Sequence, residues 1–165
     1  MKVIIIAKGP GWEKAPMEGE TWGLNDLVLR RPVKLTFEIH DISQVRKRRP
    51  GQIEKINRLG IPVITRMKHE LLPNSIPFPL GKMPVQYFTS TIAYMIAYAV
   101  YKEATEIEIF GIALLLEHEY TDQKPCIEFW IGYAMGKGIK VTVHDPTTIG
   151  CFKSHQELYG TRPII

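Results

Sequence analysis

The feature that most constrains this chain is a set of short β-branched apolar runs, each closed by a glycine, a proline or an ionisable residue. Residues 2–7 carry Val3-Ile4-Ile5-Ile6, residues 61–65 carry Val63-Ile64, residues 107–112 carry Ile107, Ile109 and Ile112, and residues 139–143 carry Ile139, Val141 and Val143. Such runs are too short for buried helices, and β-branched side chains favour the pleated backbone. The segments between them leave room for crossover helices. A strand that returns through a helix lies parallel to its neighbour, so the pattern predicts an α/β, three-layer, Rossmann-like domain with a mainly parallel sheet. No linker, repeat or low-complexity tract is visible, and residues 1–165 read as a single domain.

The intervening segments refine this expectation. Residues 21–25 read as a short extended piece. In residues 33–39, Val33, Leu35, Phe37 and Ile39 alternate with Lys34, Thr36 and Glu38, which predicts a strand with one less buried face. Residues 43–59 read as a basic helix capped by Ser43, stopped by Gly60 and interrupted at Pro50-Gly51. Pro73, Pro77, Pro79 and Pro84 exclude a regular helix over residues 72–87 and predict a long ordered excursion of the kind that often forms binding loops. Ser90 is placed to cap an apolar helix reaching residue 104. A second helix spans residues 124–137 and stops at Gly138; the tail from Pro146 reads as loop with one helical turn.

Composition excludes several classes. With 45% hydrophobic and 23% charged residues the chain is neither disordered nor fibrous. Its longest nearly unbroken apolar stretch, residues 91–101, is well short of the roughly 20 residues that cross a bilayer. The N-terminus lacks the regions of a signal peptide, so the expected location is the cytoplasm, with no membrane partner. Two cysteines, Cys126 and Cys151, supply neither a zinc-ligand pair nor a disulfide framework. The net charge of +4 is uneven: residues 30–58 hold nine Lys or Arg against three Asp or Glu, densest at Arg46-Lys47-Arg48-Arg49. Such a run can meet phosphates, but it lacks the interleaved aromatics of single-strand binders and reads as a solvated helix face, which argues against nucleic acid.

In a parallel α/β sheet the ligand lies outside the carboxyl ends of the strands, so the residues just past each predicted strand are the candidates for function. They are Gly9-Pro10-Gly11, His40-Asp41, Glu117-His118-Glu119 and His144-Asp145. The Gly-Pro-Gly turn lets a ligand approach main-chain N–H groups, although it matches neither a P-loop nor a dinucleotide fingerprint, and Pro10 has no N–H to donate. Phe88-Thr89-Ser90-Thr91 opens a helix whose first N–H groups can face a phosphate or carboxylate. Glu117 to Gln123, read as a loop ahead of a helix, offers carboxylates, an imidazole, a phenol and an amide for metal binding, base or hydroxyl recognition, or acid–base chemistry. Glu128 shares a helix face with Ile131, Gly132 and Met135; turned toward the sheet, that face would raise the carboxyl's pKa and suit it to proton transfer.

Trp22-Gly23-Leu24-Asn25, Phe37-Glu38-Ile39-His40-Asp41, Phe110-Gly111-Ile112, Glu119-Tyr120-Thr121-Asp122-Gln123, Gly132-Tyr133-Ala134 and Tyr159-Gly160 together resemble a group of small Rossmann-like proteins common in bacteriophage genomes and largely of unknown function. More remotely, the chain is similar to the α/β core of the archaeal 6-hydroxymethylpterin diphosphokinase-like family and of bacterial sialyltransferases. Those families share an N-terminal Gly-Pro turn, an Asn after the second strand and a Gly-x-Asp after a later one. The resemblance implies nucleotide binding at the strand ends, with Gly9, Pro10, Gly11 and Asn25 lining the pocket. The Gly-x-Asp position reads Gly111-Ile112-Ala113 here, so the acidic residue is missing. Residues 128–141 also resemble the Glu-x-Gly-x-Ala element of nucleoside deoxyribosyltransferases, with Glu128 displaced and Trp130 in the matching place.

The resulting expectation is a nucleotide- or nucleoside-binding transferase acting at a phosphate or glycosidic bond. Gly9 and Gly11 would approach the phosphate and Asn25 and Glu38 would hydrogen-bond sugar or base. Ser90, Tyr120 and Gln123 would complete the ligand site, and His40, Glu119 or Glu128 would handle protons. The metal is open, with Mg²⁺ one candidate cofactor, and a homo-oligomer is compatible with the sequence. The alternative, which Ala113 favours, is a non-catalytic factor that binds a nucleotide or a host protein.

Overall fold

The computed structural model describes residues 1–112, 118–144 and 149, the side chains of residues 118–120 excepted. The strands are β1 (Lys2–Ile6), β2 (Glu20–Leu24), β3 (Leu35–Phe37), β4 (Val63–Thr65), β5 (Ser75–Pro77), β6 (Glu106–Phe110) and β7 (Lys140–Val143). They form one seven-stranded sheet in the order β5-β4-β3-β2-β1-β6-β7, and every neighbouring pair is parallel. Helices α1 (Ile42–Arg48) and α2 (Gln52–Arg58) cover one face, and α3 (Thr91–Tyr101) and α4 (His118–Gly136) cover the other. This is the three-layer α/β arrangement that the alternation of apolar runs requires.

The strand β1 shows how the layers divide. Val3 and Ile5 pack with the buried residues of α3 and α4, whereas Ile4 and Ile6 pack with Ile42, Val45, Ile53 and Ile56 of α1 and α2. Successive side chains of a strand point to opposite faces, so a strand covered on both sides must be apolar at consecutive positions. The same burial overturns the expectation of a less buried face on β3. Thr36 and Glu38 are as inaccessible as Phe37, because helices cover both faces. Thr36 is satisfied by donating its hydroxyl to the Gly23 carbonyl at 3.3 Å.

Other local expectations change as well. The cap of α1 is Asp41, whose carboxylate accepts from the Gln44 amide at 3.0 Å; Ser43 lies inside the first turn, because burial of Ile42 starts the helix earlier. The break at Pro50-Gly51 does split the basic segment in two, with Gly51 in the left-handed region at φ 80°. Within the proline-rich excursion, residues 75–77 form the edge strand β5, a position that tolerates Pro77 because its missing N–H faces outward. Helix α4 includes residues 118–123, where the sequence predicts a loop ahead of the helix. Proline normally marks a first turn, and Pro125 inside the helix conceals the turns before it.

The sheet-facing stripe of α4 is Cys126, Ile127, Trp130, Ile131 and Ala134, all buried. Gly132 and Met135 are exposed, and Glu128 lies on the flank of the stripe, so the expected sheet-facing Glu128 face is not the buried one. Two aromatic groups lock this side of the molecule. Trp22, Phe37 and Tyr98 meet at centroid distances of 5.4–5.8 Å. Phe88 stacks between Tyr94 at 4.3 Å and Trp130 at 5.0 Å, while the Trp130 indole N–H donates to the Tyr87 carbonyl at 2.8 Å. These contacts tie the end of the excursion to α3 and α4. Among the described residues, no helix is long and apolar enough to cross a membrane.

Candidate functional site

Strand order reverses at β1, with β2 to β5 on one side and β6 and β7 on the other. At such a reversal the two crossovers leave in opposite directions and open a crevice above the carboxyl ends of the central strands. A cavity of about 880 Å³ lies there. Its walls come from Ala7 to Gly9 after β1, Asn25 after β2, Ile39 to Asp41 after β3, Arg66 after β4 and Gly111 after β6, with residues 88–92, Tyr94 and Gln123 closing the far side. Residues scattered along the sequence meet here because parallel strands all end on one edge.

The floor is built from main chain. The Ala7 amide donates to the Phe110 carbonyl at 2.9 Å and the Gly9 amide to the Gly111 carbonyl at 2.7 Å, so β1 and β6 stay zipped beyond their ends. Gly111 adopts a left-handed conformation at φ 68°, and a Cβ there would fall 2.7 Å from the Trp12 Cβ. Gly9 lines the cavity. Pro10 and Gly11 do not line it: Gly11 uses its own φ of 86° to enter the helical turn Trp12–Lys14.

Asn25 is left-handed too, at φ 52°. It is only 9% exposed, and its buried side-chain Oδ1 has no partner among the described residues. A buried unpaired oxygen costs about 1–3 kcal/mol until something donates to it. On the opposite wall, the Ser90 hydroxyl caps the 11-residue α3 by accepting from the Ile92 amide at 3.3 Å. The first turn of a helix presents N–H groups and the positive end of its dipole, which favours an anion in front of it. Thr89 is held there by donating its hydroxyl to the Asp122 carbonyl at 2.8 Å.

Two cations of the cavity, Lys8 and Arg49, converge on one carboxylate together with Arg30. Asp26 meets Lys8 at 2.7 Å, Arg30 at 3.1 Å and Arg49 at 3.3 Å. Burial pushes the Asp26 pKa up, but the Lys8 hydrogen bond and charge, a hydrogen bond from its own backbone amide and the Arg30 charge outweigh it and hold the carboxyl below its ordinary value. Its stabilising effect is therefore present above the unfolded pKa and lost as pH falls through the lower folded one. Arg66 has no carboxylate partner among the described residues and is free to meet an anion. Lys8, Arg49 and Arg66 line the cavity against one lining carboxylate, Asp41, so its walls carry more positive than negative side chains.

His40 is the titratable group best set for proton transfer. Its Nδ1 lies 2.7 Å from Glu38 Oε1, and Glu38 Oε2 accepts from the Gln52 amide at 3.2 Å. Glu38 is 1% exposed while the His40 side chain is 60% exposed. Both Glu38 oxygens are thus engaged beneath the imidazole, by His40 and by Gln52. The Glu38 hydrogen bond raises the His40 pKa above the ordinary 6.5; burial lowers it, the Glu38 charge adds to the rise, and the Arg49 and Lys8 charges pull it down. A raised folded pKa means that the Glu38–His40 pair stabilises the protein fully below the unfolded pKa and less as pH rises through the folded one. Glu38→Gln should move the His40 titration, read by NMR, below the ordinary value, because burial, Arg49 and Lys8 remain. The stability gap between the two proteins should narrow as pH rises from the ordinary histidine pKa through the raised folded one. An unmoved titration would show that Glu38 does not set the imidazole's charge.

The structure brings Gly9, Asn25, His40, Ser90 and Gln123 to the cavity and places Glu38 just behind it. Glu128 does not line it. Glu119 and Tyr120 stand on the first turn of α4, with side chains outside the described residues, as Glu117 and Ala113 are entirely. Lys8, Arg66 and Tyr94 were missed, although Lys8 and Arg66 satisfy the same rule that selected His40, standing just past a strand. His144 stacks on Phe110 at 3.8 Å away from the cavity, and Asp145 lies outside the described residues. The basic run is not a continuous strip: Arg46 pairs with Glu54 at 3.1 Å and Arg49 with Asp26. Among the described residues, no three His, Cys, Asp or Glu side chains gather as they would around a metal ion.

No protein-family model matches the chain, and no curated protein matches it. Two solved structures do, both of the sialyltransferase CstII from Campylobacter jejuni. One, in complex with the substrate analogue CMP-3FNeuAc, has a TM-score of 0.57 at 14% identity over 88% of this chain and 80% of that one. The other, with cytidine 5′-monophosphate, has a TM-score of 0.57 at 15% identity over 90% and 84%. The likeness is one of fold. The sialyltransferase-like α/β core implied by the Gly-Pro turn and Asn25 is thus present across most of the chain.

Proposed function

We propose that this protein is a nucleotide-dependent transferase whose nucleotide occupies the cavity above β1 and β6. The observation that carries the reading is the meeting, at the strand-order reversal, of a cavity lined by more positive than negative side chains and a histidine backed by a buried carboxylate. The phosphate lies over the Gly9 main chain and against the start of α3, where Arg66 meets its charge, while Lys8 and Arg49, shared with Asp26, add to the positive field. Asn25 Oδ1 accepts from an N–H or O–H of the base or sugar. His40, with Nδ1 turned to Glu38, has Nε2 available to take a proton from the incoming hydroxyl. The likeness to a sialyltransferase bound to cytidine nucleotides supports a nucleotide in this position.

The test is thermal stability against nucleoside monophosphates, nucleotide sugars, nucleosides and pterins, each with and without Mg²⁺. A ligand at 100 times its Kd stabilises by about 2.7 kcal/mol, which at this size is a shift of roughly 5–10 °C. Nucleotides should give that shift, and His40→Ala should keep it while losing transfer of the bound group. A shift with no transfer under any acceptor would favour a protein that sequesters nucleotides, and a panel with no shift would sink the reading.

A further inference from the structure

A second cavity, of about 280 Å³, opens on the α1 side of His40 and is lined by Glu38, His40, Asp41, Gln44, Val45, Arg48 and Arg49. Its size is just below the roughly 300–1,000 Å³ typical of small-ligand sites, room for a small acceptor only. Three of its residues, His40, Asp41 and Arg49, also line the larger cavity, so the two meet at the imidazole. A transferase needs such an arrangement: donor and acceptor must reach one proton acceptor from different sides.

We infer that this smaller cavity is the acceptor pocket, and that it takes a hydroxyl compound carrying an anionic group, carboxylate or phosphate. The inference rests on the transferase reading above. The contents of the pocket identify the class. Arg46 and Arg49 are held by Glu54 and Asp26, whereas Arg48 has no carboxylate partner among the described residues and stands in the cavity wall. A guanidinium presents a planar fork that matches carboxylate and phosphate oxygens. Asp41 and the Gln44 amide supply polar groups for hydroxyls beside it. In the reaction, the acceptor oxygen bonds to the transferred group as its proton passes to His40 Nε2. The bond from that group to the nucleotide phosphate oxygen breaks, and the phosphate keeps the electron pair.

The full-length protein, saturated with whichever nucleotide stabilises it, should be titrated with glucose, glucuronate and glucose 6-phosphate while NMR follows the His40 imidazole and the Gln44 side-chain amide. At least one anionic sugar should bind about tenfold or more tighter than glucose and shift both groups. Arg48→Gln should abolish that advantage, leaving nucleotide affinity unchanged. The glucuronate and glucose 6-phosphate arms decide between carboxylate and phosphate. Equal binding of glucose and the anions, an Arg48→Gln protein that keeps the advantage, or anions that bind only by expelling the nucleotide would each overturn the acceptor pocket while sparing the nucleotide site. If no nucleotide binds at all, the transferase reading fails, and the acceptor role falls with it even where the anions bind at Arg48.

Discussion

Replacing Gly111 by alanine should destabilise the protein by about 3 kcal/mol or more, among the largest losses that a single added methyl can cause. The new Cβ would fall 2.7 Å from the Trp12 Cβ, 2.9 Å from the Gly9 carbonyl oxygen and 3.0 Å from the Ala7 carbonyl oxygen. Two of these obstacles are main-chain atoms of the segment leaving β1, which is tied to β6 by the Ala7–Phe110 and Gly9–Gly111 hydrogen bonds and cannot retreat without breaking them. The left-handed φ of 68° adds roughly 1 kcal/mol for any residue with a side chain. Denaturant unfolding should show a lower midpoint at an unchanged slope, with Tm lower by about 6–12 °C. Because Gly9 forms part of the cavity floor, the affinity for the nucleotide proposed to bind there should fall too. A loss below about 1 kcal/mol would mean that the β1 and β6 ends adjust freely, and that the cavity floor is softer than its geometry indicates.

Arg31→Met should be the other costly substitution. Arg31 is buried, yet its partners are main-chain oxygens and the Met17 sulfur, with no carboxylate among the described residues. Its guanidinium donates to the carbonyls of Trp12 at 3.2 Å, Ala15 at 3.3 Å and Pro16 at 2.8 Å, and lies 5.9 Å from the centre of the Trp12 ring. It is the clamp that closes the segment between β1 and β2 over the sheet. Two effects oppose each other on its removal: relief from burying an unpaired charge, and the loss of donors for three carbonyls. The Trp12 carbonyl keeps the Ala15 amide as a donor and the Pro16 carbonyl reaches water, but the Ala15 carbonyl is left buried and unpaired at about 1–3 kcal/mol, so the second should win, with a net loss of about 1–2 kcal/mol. Arg31→Lys keeps the charge but lacks the fork that reaches several carbonyls at once; it should recover less than half. Hydrogen exchange should rise first across residues 12–17. A fully stable Arg31→Met protein would show that the segment is held by its own turns.

The cavity was partly legible from the strand-end rule. Gly9, His40 and Asp41 each follow a predicted strand, and the parallel topology then brings them together. The same rule covers Lys8 and Arg66, which a search for named motifs passes over because a single Lys or Arg carries no pattern. Glu38 is named from the sequence as a site residue, but its burial and its Gln52 partner were beyond reach for a different reason. An acidic residue at an alternating strand position reads as surface, and only the helix pair over that face turns it into a buried support for His40. Asp26 likewise looks like an ordinary turn residue until Lys8, Arg30 and Arg49 arrive around it.

By itself the sequence determined the layers of the sheet, the apolar character of β1, β6 and β7, the break between α1 and α2 and the Ser90 cap, because these follow from contacts a few residues apart. The tertiary structure decided the rest. The added edge strand β5, the face that α4 buries, the burial of Glu38 and the gathering of three cations on Asp26 depend on which distant segments pack together. Local propensity carries no record of such partners, and at those positions the free energy of burial and pairing outweighs the few tenths of a kcal/mol by which propensity favours one backbone state over another.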